Sequence, residues 1–324
     1  MLPDSIALLG ECMLEFSPAA TSGRQSEQQY HLGVAGDTYN TAVALAQLGC
    51  QCQYLTALGQ DPHSDFIIER TRSWGIDTDV IQRRVQQIPG LYLIDNDDSG
   101  ERYFSYWRSQ SAARACLSDP ASLQQLLSSM APAQWFYLSG ISLALCGPES
   151  LSTLVAWLPT YRERGGKVIY DSNYRAALWE TPAEAAAAQQ QVIEHVDIYL
   201  PGVEDELILR GLSDKLALTS ELRSLSQMEI VLKDGGNQML LFEQGSEQKL
   251  TPTRVTTVID TTGAGDAFNG GYLAARLRGL DLAAAASFAS EVAAQTIAHR
   301  GAVLPAELWR PLRERLESIL STVS

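Results

Sequence analysis

The sequence lacks a long basic run, a paired-cysteine spacing and a dinucleotide fingerprint, and each absence removes a class of function. Lysine and arginine number 24 against 38 aspartates and glutamates, a formal net charge of −14. Nucleic-acid surfaces draw their affinity from Lys and Arg, so this balance argues against a nucleic-acid partner. Cysteines are few: Cys12, Cys50, Cys52, Cys116 and Cys146. Their number is odd, their spacing matches no zinc pattern, and Cys50 and Cys52 stand one residue too close for a thioredoxin-like motif. Reduced thiols in a cytoplasmic protein are expected. No basic stretch leads into a long apolar run at the N-terminus, so no signal peptide is expected. No apolar stretch is expected to reach a membrane span of about 20 residues, and no membrane partner is expected. Neither a Walker A pattern nor G-x-G-x-x-G after the first strand occurs, which sets aside P-loop kinases and dehydrogenases. Internal repeats and low-complexity linkers are also missing.

What is present is ordinary globular composition, 45% hydrophobic and 19% charged over 324 residues, enough for a large core. Short apolar runs alternate with helical periodicity. Strands are predicted at residues 6–9, 11–16, 53–57, 135–138, 167–170, 196–200, 229–232 and 255–259. Residues 91–94 and 102–106 read as a hairpin turning at 97–100. Helices are predicted behind Gly36-Asp37, from Asp61-Pro62 to 74, and over 148–164, 203–210, 267–278, 283–300 and 305–320, the last amphipathic and peripheral. The alanine-rich run at 183–188 reads as a helix capped by Thr181, with Pro182 in its first turn. Strand–helix alternation implies a parallel sheet with helices on both faces, and ligands in such sheets sit beyond the carboxyl ends of the strands. Asn173, Arg175, Lys233, Gly235 and Asp266 all fall just after predicted strands, so one crevice could hold them.

The sharpest stretch is Asp260-Thr261-Thr262-Gly263-Ala264-Gly265-Asp266-Ala267-Phe268. Two glycines stand between a predicted strand and a helix, where the backbone can approach a ligand closely. A helix N-terminus presents free N–H groups to an anion such as phosphate. Asp266 is out of place there unless it takes a proton from a hydroxyl that attacks the phosphate. Otherwise it is a helix cap. Gly36-Asp37-Thr38-x-Asn40 leaves a similar choice between a capped tight loop and a polar cluster for sugar hydroxyls. Arg108 directly follows two aromatics, Tyr106 and Trp107, where a cation could be held rigidly for a bidentate anion contact; for an isolated Arg, a surface salt bridge is the alternative.

Read together, these stretches resemble the PfkB (ribokinase-like) family of sugar kinases. Pro89-Gly90-Leu91-Tyr92, Gly100-Glu101-Arg102, Leu138-Ser139-Gly140-Ile141 and Asp171-x-Asn173-Tyr174-Arg175 add to the likeness. Tyr-Trp-Arg and Asn-Tyr-Arg narrow it to the branch that phosphorylates the sugar acid 2-keto-3-deoxygluconate at its 6-hydroxyl with ATP. The resemblance implies one domain over 1–324, a three-layer α/β/α sandwich with a mostly parallel sheet and a small β lid from about 11–35 and 85–110. It implies Asp266 as general base and the N–H groups of Gly263, Ala264 and Gly265 as anion hole. Gly36, Asp37, Thr38, Asn40, Tyr92, Tyr106, Trp107, Arg108, Arg175 and Ala302 fall to the sugar acid. Asn173, Tyr174, Arg175, Lys233, Asp234, Gly235, Gly236 and Asn237 fall to the nucleotide, Arg175 being open to either ligand. Mg²⁺ is implied with ATP, K⁺ beside Asp260 and Thr262 as in some relatives, and a homo-oligomer. Two departures stand out: Ala35 where many relatives have glycine, and Pro201-Gly202-Val203-Glu204-Asp205-Glu206 where many carry Asn-x-x-Glu, which leaves the acid that orders Mg²⁺ unassigned.

Overall fold

The computed structural model describes residues 4–19, 29–96, 102–225 and 227–323; the predicted turn at 97–100 lies outside them. Six strands run parallel through one sheet, in the order Glu229–Leu232, Ile198–Tyr199, Lys167–Asp171, Trp135–Ser139, Ser5–Leu9, Gln51–Leu55. The two central strands, SIALL and WFYLS, are buried along their whole length, as a sheet covered on both faces requires. Period-2 alternation divides their side chains between two cores. Ile6, Leu8, Trp135 and Tyr137 join the layer with helices Asp37–Gln47, Ala264–Leu277, Leu282–Ile297 and Ala306–Val323. Ala7, Leu9, Phe136 and Leu138 join the opposite layer. The architecture is a three-layer α/β/α sandwich, and the carboxyl ends of the parallel strands open on one edge.

A second sheet has the order Tyr30–Ala35, Met13–Pro18, Gly90–Asn96, Arg102–Trp107. Its register places Glu15 opposite Tyr92 and Tyr92 opposite Tyr106, so these three share a face. Leu91 pairs with Trp107 on the other face.

Several expectations are corrected. Residues 255–259 form no strand. All five are β-branched, but the sheet edge is already taken by the antiparallel hairpin Met239–Glu243 and Ser246–Leu250, which the periodicity did not reveal. With no ladder left, Val258 and Ile259 stay exposed, and the N–H groups of Ile259 and Asp260 both donate to the Ile297 carbonyl at 2.8 and 3.1 Å. The predicted helix from Pro148 is present, but a shorter helix from Gly140, which the periodicity did not reveal, runs straight into it; Gly147, with the non-helical φ 68° and ψ 170°, is the kink between the two. The whole 24-residue span Gly140–Glu163 is apolar and long enough to cross a membrane by length and composition alone. Here Leu145, Leu151, Leu154 and Leu158 bury one face of it in the core.

Candidate active site

Helix Ala264–Leu277 begins at the open edge of the sheet. Gly263, at its N-terminus, holds φ 72°, a left-handed conformation that glycine adopts freely. A Cβ there would lie 2.5 Å from the Ala302 carbonyl oxygen. Asp260 fixes this junction: its carboxylate accepts from the N–H of Thr262 at 3.0 Å and of Gly301 at 2.7 Å. The loop carrying Ala302 is thereby clamped against the turn that carries Gly263. The N–H of Ala264 reaches back to the Thr261 carbonyl at a long 3.3 Å.

Asp266 stands in the first turn and is half-buried. Asn40 Nδ2 donates to its Oδ2 at 2.8 Å, and Thr41 Oγ1 donates to its carbonyl at 3.3 Å. Burial pushes the Asp266 carboxyl up to about 8, Asp37 and then Asp171 add to the rise, and the Asn40 bond and Arg175 oppose it. Asp37 Oδ2 accepts from Ser139 Oγ at 2.5 Å and Asn173 Nδ2 at 3.0 Å, and burial raises its pKa as well. Beneath them Asp171 accepts from Lys233 Nζ at 3.0 Å and Asn269 Nδ2 at 2.9 Å. Carboxylates thus crowd one edge of the sheet, and a proton held there is held tightly.

Next to Asp266 runs a cleft of about 490 Å³. Lys233, Asp234, Gly235, Gly236, Asn237, Ala264 and Gly265 line it, and Met239, Phe268, Ala293 and Ile297 give it an apolar end. A Cβ placed on Gly235, Gly236 or Gly265 would meet nothing within 4 Å, so bare backbone faces the cleft at three points. Asp205 also lines the cleft, with Oδ2 accepting from Tyr174 N at 3.2 Å and Ser172 Oγ at 3.3 Å. Glu206 is turned away and buried, accepting from Gln189 at 3.1 Å and Arg210 at 2.7 Å. Glu204 lines the cleft as well, so of the three acids only Glu206 is removed from it, and Asp205 is the one held in place by hydrogen bonds from Ser172 and Tyr174. Among the described residues no cluster of three His, Cys, Asp or Glu could hold a metal by itself. A divalent ion beside Asp205 would need phosphate oxygens and water to complete its shell.

On the other side of Asp266 lies the inner face of the small sheet. Tyr92 is buried, its hydroxyl donates to Glu15, and its ring sits 5.5 Å from that of Tyr106. Burial raises the Tyr106 hydroxyl, and the positive charges of Arg108 and Arg175 pull it the other way. Arg175 is exposed, and its guanidinium donates to the carbonyl of Tyr174.

The structure gathers Gly36, Asp37, Asn40, Tyr92, Tyr106, Arg108, Arg175, Asp266 and Ala302 around this edge, while four others take places different from those expected. Thr38 is buried, with Oγ1 2.9 Å from the Tyr54 hydroxyl. Trp107 lies on the opposite face of its strand from Tyr106. Tyr174 packs in a small core with Ala185 and Leu209. Asn173 turns its amide to Asp37 and does not line the cleft. Asp234 lines the cleft but is held by Lys215 at 2.6 Å. Sequence reasoning passed over Glu11 and Asn269, and it quoted Ser139 only within Leu138-Ser139-Gly140-Ile141, without a role. Asn269 had a signal of its own, because it falls three residues after Asp266 on the same helix face.

A family model described as pfkB family carbohydrate kinase matches residues 3–309. The 2-dehydro-3-deoxygluconokinase of Dickeya dadantii is 36% identical over 314 residues, covering 95% of this chain and 99% of that protein. The crystal structure of 2-dehydro-3-deoxygluconokinase from Thermotoga maritima superposes with a TM-score of 0.79 at 26% identity, over 96% of this chain and 99% of that one. Fructokinase with bound ATP from Xylella fastidiosa superposes with a TM-score of 0.78 at 21% identity, over 98% of this chain and 100% of that one.

Proposed function

We propose that this chain, which belongs to the pfkB family of carbohydrate kinases, transfers the γ-phosphoryl group of ATP to the 6-hydroxyl of 2-keto-3-deoxygluconate. The observation that carries the reading is the place of Asp266. It stands at a helix N-terminus, beside a backbone-lined cleft and within electrostatic range of Tyr92 on the small sheet. The relative from Dickeya dadantii, named for this sugar acid, supports the choice of substrate.

In this reading the nucleotide occupies the cleft, its base toward Met239, Phe268 and Ile297 and its phosphates over Gly235, Gly236 and Gly265. The sugar acid lies against Tyr92 and Tyr106, its hydroxyls toward Asp37 and Asn40 and its carboxylate between Arg108 and Arg175. The 6-hydroxyl gives its proton to Asp266 as its oxygen bonds the γ-phosphorus. The bond from that phosphorus to the β,γ-bridging oxygen breaks, and ADP leaves. The N–H groups of Gly263, Ala264 and Gly265 receive the charge that builds on the transferred group. Asp205 is the acid that would hold Mg²⁺, which supplies charge neutralisation for the phosphates when bound. The proposal extends to K⁺ beside Asp260, whose two carboxylate oxygens each accept a backbone N–H. The small sheet serves as the lid that keeps water from the phosphoryl group.

Coupled ADP release with Mg·ATP tests the assignment. Turnover is expected on 2-keto-3-deoxygluconate and not on fructose or ribose, and it should fall when Na⁺ replaces K⁺. Equal turnover on fructose would discard the arginine clamp while keeping Asp266.

The pH profile follows from the same residue. A base must be ionised, and burial and Asp37 place the Asp266 carboxyl at about 8. Accordingly kcat/KM should rise about tenfold per pH unit toward 8 and level off above it. A profile flat from pH 6 to 9 would count against Asp266 as the base.

A further inference from the structure

We propose that Glu11 is a positioning residue for the substrate carboxylate, acting through Arg108 where the chain passes between the two sheets. The proposal rests on Arg108 being part of the clamp described above.

The chain crosses between the large sheet and the small one four times, and all four crossings touch Glu11. Glu11 itself follows Ser5–Leu9 and leads into Met13–Pro18. Gly36 leaves the small sheet, and a Cβ there would sit 2.3 Å from the Glu11 carbonyl oxygen. Gly90 re-enters it, and a Cβ there would sit 3.1 Å from Glu11 Oε1 and 3.2 Å from Arg108 Cβ. Arg108 and Ser111 leave it for the last time. Arg108 Nη2 lies 2.6 Å from Glu11 Oε2, and Ser111 Oγ donates to Glu11 Oε1.

Glu11 is 1% exposed, and the Arg108 side chain is 10% exposed. A lone carboxylate buried so deeply would be costly, and burial does raise its pKa against the pull of Arg108. The pair balances charge but leaves donors over. Arg108 Nε is buried without a hydrogen-bond partner, and the close Nη2 contact is an ion pair out of hydrogen-bond alignment. The charge of Arg108 also reaches Asp37 and the Tyr106 hydroxyl, both on the acceptor side. Nε and Nη2 are thus buried at the crossing, and the small part of the Arg108 side chain that stays exposed is what an incoming carboxylate would meet. Glu11 makes no contact with the sugar in this arrangement; it sets where the cation waits.

Four proteins, wild type, Glu11→Gln, Arg108→Ala and the double variant, test this by steady-state kinetics with 2-keto-3-deoxygluconate and by thermal melts. Glu11→Gln should raise KM for the sugar acid about tenfold while kcat and KM for ATP stay within about twofold. Glu11→Asp keeps the charge but withdraws it by one methylene, and should raise the same KM. Arg108→Ala strands the Glu11 carboxylate and should lower Tm; adding Glu11→Gln should restore Tm without changing KM further. An unchanged KM in Glu11→Gln and Glu11→Asp, with KM raised in Arg108→Ala, would overturn the role of Glu11 and leave the clamp standing. A further KM increase in the double variant would also overturn it, because Glu11 would then act without Arg108. If Arg108→Ala itself leaves KM for the sugar acid unchanged, the clamp reading fails and this inference with it.

Discussion

Asp266→Asn is expected to lower kcat by about 10³- to 10⁴-fold while making the unliganded protein more resistant to heat. The two effects have one cause. The carboxylate faces Asp37 and Asp171 in a poorly solvated edge, which is why its pKa climbs to about 8. The amide is isosteric and its oxygen can still accept from Asn40 Nδ2, so packing and sugar binding should change little. It cannot accept a proton from the 6-hydroxyl. The unfolded chain releases the Asp266 proton near pH 4, whereas the folded chain keeps it to about pH 8. Between those values the unfolded state binds fewer protons, so stability falls as pH rises, and above pH 8 the full penalty of the charge is present. The amide removes that penalty. Because Asp266 is only half-buried, solvent screening trims the gain, and Tm should rise on the order of 2 °C at pH 8.5 and not at all below pH 4. Calorimetry at several pH values alongside ADP-release kinetics reads both effects. Near-normal turnover would remove the general-base role. A lower Tm at pH 8.5 would show that the carboxylate is not held at a cost.

How much of this was legible in the sequence depended on the range of the forces involved. The parallel core was legible because burial on both faces writes itself as short apolar runs such as Ser5–Leu9 and Trp135–Ser139. Helix starts were legible because caps are local: Thr181 Oγ1 accepts from Glu184 N at 3.2 Å, and Asp61 accepts from His63 N at 3.0 Å. The run at 255–259 misled because β-branching states a preference, whereas a strand also needs a partner. Trp107 misled because adjacency in a motif is not adjacency in space: alternation sends it to the opposite face from Tyr106. The partners of the site residues were hidden because they come from far along the chain. Asn40 and Asp266 are 226 residues apart, Asp37 and Asn173 are 136 apart, and only the fold brings them into hydrogen-bond range. Glu11 was read only as the start of a strand at 11–16, and its burial follows from four chain crossings that no local window contains.

Gly263→Ala and Gly265→Ala, two changes of one methyl group only two residues apart, should fail in different ways. At Gly263 the backbone is left-handed, with φ 72°, and a new Cβ would lie 2.5 Å from the Ala302 oxygen and 2.7 Å from its Cα. Those are backbone atoms, and their loop is tied to Asp260 through the Gly301 N–H at 2.7 Å, so it cannot simply yield. The start of helix Ala264–Leu277 must move instead, and it carries the proposed anion-hole donors. Losing the aim of one such donor costs about 10²- to 10³-fold in kcat, and the strained backbone costs about 1–3 kcal/mol of stability. The apolar end of the cleft at Met239, Phe268 and Ile297 is untouched, so KM for ATP should change far less than kcat. At Gly265 the Cβ meets nothing within 4 Å. That variant should melt like wild type, but its methyl group points into the space assigned to phosphate, so KM for ATP should rise. Tm, kcat and KM for ATP measured on both variants decide the matter. If Gly265→Ala left ATP binding unchanged, the phosphates would lie elsewhere. If Gly263→Ala melted and turned over like wild type, the clamped junction with Ala302 would not be what aims the helix start.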